Sequence, residues 1–142
     1  MTTSILHAKL KENFGFEKFR PNQEDIINCI LSGQDTLAIM PTGGGKSICF
    51  QLPALVLPGI TIVISPLIAL MKDQVDGLKA NGILACYINS SQSSEEQQLH
   101  IQNLTDNKVK LVYVAPESLS YLENAFSQIT ISLIAIDEAH CI

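Results

Sequence analysis

Met40-Pro41-Thr42-Gly43-Gly44-Gly45-Lys46-Ser47 is the stretch on which the reading of this chain turns. Its three consecutive glycines allow positive φ without a Cβ penalty. A backbone so shaped can turn several N–H groups inward around an anion, and a helix opening at its end adds the positive pole of a dipole. Lys46 brings a point charge for β- and γ-phosphates, and Ser47 a hydroxyl for Mg²⁺. The flanks agree. Thr36-Leu37-Ala38-Ile39-Met40 reads as a short buried strand, and Ser47 to Leu52 as the start of a helix. Strand, glycines, Lys-Ser and helix stand in the order of a triphosphate cradle. The usual G-x-x-x-x-G-K-[ST] pattern wants glycine where Met40 stands, and a glycine-rich surface turn is the plainer alternative.

A second motif, Asp137-Glu138-Ala139-His140, follows the apolar run Ser132-Leu133-Ile134-Ala135-Ile136. Such a run reads as a strand covered on both faces. It delivers two carboxylates at a strand's C-terminal end, where open α/β sheets bind ligands. Asp137 suits Mg²⁺, directly or through water. Glu138 suits positioning and deprotonating the water that attacks a γ-phosphate. Alone, an Asp-Glu pair after a strand reads as a solvated loop; the glycine loop makes it a metal and water site.

With 142 residues, 46% hydrophobic and 16% charged, the chain has material for one well-buried domain. Cys29, Cys49, Cys86 and Cys141 form no C-x-x-C pair, so they read as reduced core thiols rather than a zinc site or disulfide framework. No basic-then-apolar signal pattern follows Met1. The stretch from Ile48 to Met71 lacks charge, but Pro53, Pro58-Gly59 and Pro66 divide it, which excludes a membrane span. The expected location is cytoplasmic, a bacterial cytosol or nucleoid rather than a nucleus. A net charge of −5 argues against a strong nucleic-acid footprint on these residues alone, although helix N-termini can still make local contacts.

Strand and helix patterns alternate, which predicts a parallel α/β sheet. Candidate strands are 36–40, 60–64, 84–88, 110–114 and 132–136. Candidate helices are 3–13, a segment from Pro21 to Gly33, then 46–56, 67–80, 93–105 and 117–127. Ser93 and Glu96 make a capping box for one of them.

Upstream of the glycine loop lies Phe14-Gly15-Phe16-Glu17-Lys18-Phe19-Arg20-Pro21-Asn22-Gln23. A glutamine amide can pair with the N6 and N7 edge of adenine. Phe16 offers a stacking face, and Arg20 can stack or approach phosphate. Phe-Arg-Pro-x-Gln, the Met40–Ser47 loop, Ser65-Pro66-Leu67-Ile68-Ala69-Leu70-Met71-Lys72-Asp73-Gln74-Val75 and Asp137-Glu138-Ala139-His140-Cys141-Ile142 together closely resemble the RecQ family of superfamily 2 DNA helicases. Met at the first loop position belongs to that family's pattern.

The resemblance implies an ATP- and Mg²⁺-dependent enzyme that unwinds DNA 3′-to-5′. It implies a P-loop, RecA-like parallel sheet with helices on both faces, residues 1–142 being part of the first lobe. It places Phe16, Arg20 and Gln23 at adenine, Thr42, Gly43, Gly44, Gly45, Lys46 and Ser47 at phosphate, and Ser47 and Asp137 at the metal. Glu138 would serve water, and His140 would couple the nucleotide to DNA. Ser65, Pro66 and Leu67, with Ala115 and Pro116, would touch a single strand of a forked DNA; their plainer reading is helix capping by Ser65, with Pro66 in the first turn. Asn89-Ser90-Ser91-Gln92 also matches and reads as a polar turn. The chain reads as cut in mid-motif, before the strand that would follow Asp137-Glu138-Ala139-His140 and without a second lobe. Two alternatives remain: a non-catalytic ATP-binding truncation, and a P-loop translocase that does not unwind.

Overall fold

The computed structural model describes residues 3–40 and 45–138. The chain divides into two compact units, Met1–Leu57 and Pro58–Ile142.

The first unit is helical. Helix α1 (Thr3–Lys9) runs on as a π-helical turn, Leu10–Phe14. Gly15 closes it at φ 75°, its N–H reaching Lys11 O at 3.0 Å. Helices α2 (Gln23–Leu31) and α3 (Ile48–Val56) follow. Leu6, Leu10, Ile27, Ile48 and Leu52 form one buried cluster, and Phe14, Phe19 and Leu31 pack against it. Helix α2 begins two residues later than Pro21 suggests, because Asn22 takes a left-handed φ of 73°.

The expected strand at 36–40 is not formed. Residues 34–40 carry neither helix nor strand, and Leu37 and Ile39 are 81% and 92% exposed. A strand satisfies its N–H and C=O groups through a neighbour. Among the described residues no strand pairs with this segment, and apolar composition does not replace that partner.

The second unit is a four-stranded parallel sheet in the order β2-β3-β1-β4. Its strands are β1 (Ile60–Ile64), β2 (Ala85–Ile88), β3 (Leu111–Val114) and β4 (Ile131–Ile136). Parallel neighbours need long crossovers. These are α4 (Ile68–Ala80), α5 (Ser94–Thr105) and a segment of two 3₁₀ turns, Pro116–Ser118 and Ser120–Leu122, ending in α6 (Glu123–Phe126). The capping box on α5 is present, Glu96 N–H donating to Ser93 Oγ at 3.2 Å.

Side chains alternate across the sheet with period two. Ile60, Ile62, Cys86, Ile88, Val112 and Val114 face a cluster that includes Leu104 and Leu122. Thr61, Val63, Ala85, Leu111 and Tyr113 occupy the alternate positions and are also buried. So β1 and β3 are covered on both faces. Helix α4 buries Met71, Val75 and Leu78.

The expected helix at 117–127 is broken into short turns. Leu119, Leu122 and Ala125 recur every third residue, a spacing that suits three residues per turn better than 3.6. The expectation of a doubly covered last strand also needs correction. Among the described residues β4 pairs only with β1, and Ile134 and Ile136 on it are 56% and 55% exposed. No ladder joins 36–40 to 132–136 among the described residues.

At the start of β1 the pairing slips. Ile60 lies opposite Ile131, but Thr61 lies opposite Leu133. Ser132 is the extra residue of this bulge, and its hydroxyl accepts the Gly59 N–H at 2.6 Å. Lys110 Nζ donates to Gly59 O at 2.8 Å. A Cβ on Gly59 would lie 2.5 Å from Thr130 O and closer still to Ser132 Oγ, so glycine is required there by space.

Candidate nucleotide site and nucleic-acid edge

In the first unit, Gln23 joins two of the expected nucleotide segments. It opens α2 and is 2% exposed. Its Oε1 accepts the Arg20 N–H at 2.8 Å, and its Nε2 donates to Gly45 O at 2.8 Å. A buried amide needs such partners. The end of the glycine loop and the Phe16–Gln23 segment are thus tied together through one side chain. Gly45 sits at φ 78°, and a Cβ there would approach Gln23 Nε2 to 2.5 Å. Phe16 is 48% exposed, which leaves a ring face open for stacking. Arg20 is exposed.

Lys46 and Ser47 lead into α3, with Cys49 N–H on Lys46 O at 3.1 Å and Gln51 N–H on Ser47 O at 2.9 Å. Ser47 is the N-cap but makes no side-chain capping bond. Its hydroxyl is therefore not consumed by the helix, which suits a hard cation that takes oxygen ligands. Thr42, Gly43 and Gly44 lie outside the described residues.

In the second unit, Asp137 and Glu138 follow β4. The Asp137 N–H continues the ladder to Ile64 O at 2.9 Å. Glu138 takes a left-handed φ of 54°, and its N–H donates to Asp137 Oδ1 at 3.1 Å. A non-glycine residue held there costs on the order of 1–3 kcal/mol, and such conformations cluster at functional sites. The turn fixes the two consecutive acids in different surroundings: Asp137 is buried, Glu138 only partly so. A carboxylate oxygen at a strand end again fits Mg²⁺. His140 lies outside the described residues.

All four strands are parallel, so the turns after them lie along one edge of the sheet. The turn after β1 begins with Ser65, 4% exposed, whose Oγ accepts the Leu67 N–H at 3.2 Å. Helix α4 starts beyond it, with Leu67 as N-cap, so Pro66 precedes the first turn and Ser65 closes a local hydroxyl turn instead of capping α4. Leu67 is 38% exposed. Ala115, after β3, is wholly buried, and its N–H is taken by Ile88 O at 3.3 Å. Of the two residues expected to touch DNA here, only Pro116 is accessible.

The Cys49 and Cys86 thiols are pushed up by burial, to about 11 and about 12. They stay protonated at neutral pH, which removes them as nucleophiles. No helix among the described residues is long and apolar enough to cross a membrane.

Residues 20–142 match the family model described as DEAD/DEAH box helicase. The chain belongs to that family. Within it, the RecQ kinship expected from the motifs holds. The chain is 53% identical over 137 residues to the ATP-dependent DNA helicase RecQ of Haemophilus influenzae, covering 94% of this chain and 22% of that protein. It is 52% identical over 136 residues to the RecQ of Bacillus subtilis, covering 94% of this chain and 23% of that one. It thus spans under a quarter of the length of these two relatives. A hypothetical ATP-dependent RNA helicase from Sulfolobus tokodaii superposes with a TM-score of 0.77 at 21% identity, covering 99% of this chain and 42% of that structure. That likeness shows the fold, the parallel sheet of a RecA-like helicase lobe.

Proposed function

We propose that the protein carrying this chain is an ATP-dependent DNA helicase that unwinds 3′-to-5′, with residues 1–142 forming part of its first RecA-like lobe and a second lobe completing the enzyme. One observation carries the reading most directly: 53% identity over 94% of the chain to a helicase named RecQ. In this reading Lys46 and the N–H groups of the glycine loop hold the β- and γ-phosphates. Ser47 and Asp137 hold Mg²⁺, which supplies charge neutralisation on those phosphates. Glu138 orients the attacking water and accepts its proton. Phe16 stacks on adenine, and Arg20 lines the entrance. Gln23 reads the N6 and N7 edge by exchanging its bonds to Arg20 and Gly45 for bonds to the base. Single-stranded DNA lies along the turns after β1 and β3, through Pro66, Leu67 and Pro116, with Ser65 shaping the first turn from beneath, and His140 links nucleotide to DNA. The location is cytoplasmic.

ATP turnover by the full-length protein, with and without an oligonucleotide, and strand displacement on a forked duplex test this. Turnover should require Mg²⁺, rise with single-stranded DNA and accompany displacement; Lys46→Ala should weaken Mg-ATP binding and abolish both. Turnover without displacement would leave a translocase, and no turnover a binding module.

A further inference from the structure

The turn after β2 reads from sequence only as polar, yet several buried or part-buried side-chain hydrogen bonds hold it. Asn89 is 0% exposed and Gln92 is 9% exposed. The Asn89 N–H donates to Gln92 Oε1 at 3.2 Å, and Gln92 Nε2 donates to Tyr87 O at 2.9 Å. Asn89 O accepts from Gln97 Nε2 at 2.7 Å and from the Gln92 N–H at 3.3 Å. Asn89 Oδ1 accepts from both the backbone N–H and the hydroxyl of Ser91. Asn89 Nδ2 reaches across to Met71 Sδ at 3.4 Å on α4. Ser90 and Ser91, at the tip, are exposed.

A wholly buried position beside β2 would ordinarily hold an apolar residue. An amide there is tolerable only because both its ends are engaged. What the amide adds is a bridge: its oxygen sets the Ser90–Ser91 tip, and its nitrogen fastens that tip to α4. Helix α4 is the one that follows Ser65-Pro66-Leu67. The Asn89 side chain therefore links the turn after β2 to the helix into which the turn after β1 leads.

We propose that Asn89 is a positioning residue for single-strand engagement, locking the turn after β2 to α4 so that the turns ending β1 and β2 present one rigid edge to DNA. It touches no substrate. It acts by removing freedom that the edge would otherwise lose on binding. The proposal rests on the helicase reading above.

The test uses the full-length protein and an oligo-dT probe. It follows the oligonucleotide concentration for half-maximal ATP turnover, the maximal turnover, and Mg-ATP affinity without DNA. Asn89→Ala should raise the half-maximal concentration about tenfold and leave Mg-ATP affinity unchanged. Met71→Leu keeps an apolar side chain of similar volume and removes the sulfur acceptor, so it should raise that concentration about threefold. It also serves if Asn89→Ala does not fold. Cys86→Ala, a core truncation on β2, controls for general loosening and should not shift it. An unshifted concentration in both Asn89→Ala and Met71→Leu, or an equal shift in Cys86→Ala, overturns the role. A wild type whose turnover ignores DNA overturns the helicase reading itself, and this inference with it.

Discussion

Residues 36–40, Thr-Leu-Ala-Ile-Met, and residues 60–64, Ile-Thr-Ile-Val-Ile, are two short apolar runs, each entered from a turn. By pattern both are strands. The second becomes β1 at the heart of the sheet, bonded to β3 on one side and β4 on the other. The first pairs with nothing described, and Ile39 is 92% exposed where Ile62 is 2%. What separates them is not composition but company. A strand's backbone groups are satisfied by another segment, so strand formation is decided by partners.

The comparison breaks most directly at its two isoleucines. Ile62→Ala should cost about 2–5 kcal/mol, as buried truncations do. Ile39→Ala should stay within about 0.5 kcal/mol, as exposed substitutions do. Urea midpoints of the two variants measure this, and equal losses would refute the contrast. Next comes the entry to β1. Gly59→Ala should destabilise by about 1–3 kcal/mol, the range for overpacking, because the new methyl meets the Thr130 carbonyl. A midpoint equal to wild type would mean the bulge at Ser132 gives way freely.

The outer strand sharpens the contrast from the other side. Among the described residues β4 has one partner and an exposed apolar row, the combination that invites edge-to-edge association. Ile134→Lys should change stability by less than about 0.5 kcal/mol while reducing concentration-dependent self-association in sedimentation runs. Unchanged association would acquit the edge.

The smallest effect lies at the sheet's other border. His100 packs on Tyr87 with ring centroids 5.9 Å apart, and its Nδ1 is buried with no hydrogen-bond partner among the described residues. Burial first and the Lys79 charge second lower its pKa from 6.5, against an opposing pull from Glu96. The fold therefore favours the neutral ring. That stability is present above pH 6.5 and is lost as pH falls through 6.5 towards the lower folded value. His100→Gln should flatten the fall in melting temperature between about pH 7 and pH 5; an unaltered slope would clear His100.

Elements whose reasons are local were legible from sequence. The capping box at Ser93 and Glu96 starts α5 where expected, and Pro58-Gly59 precedes β1. The glycine loop and the acidic pair stood out as candidates because phosphate and metal chemistry admit few residue types. Gln23 stood out in the sequence as a candidate, but its tie between Arg20 and Gly45 was not legible, since that depends on a contact 22 positions away. The break-up of 117–127 was hidden because three- and four-residue spacings of leucine look alike over two turns. The burial of Ala115 and the bridge at Asn89 were hidden for one reason: each is defined by what the fold brings against it.

The strand order also sets a schedule for synthesis. β1 meets β3 through Thr61 and Leu111, and meets β4 through Ile60 and Ile131, 71 residues downstream (131 − 60). At about 5–20 residues per second, a growing chain holds β1 for roughly 4–14 s before that last partner has been made. During that interval a strand with four aliphatic residues in five is open along the side that β4 will take. Protease protection of β1 in stalled chains should rise in two steps, once after β3 has emerged and again after β4. A single step would mean that the sheet zips together only when complete.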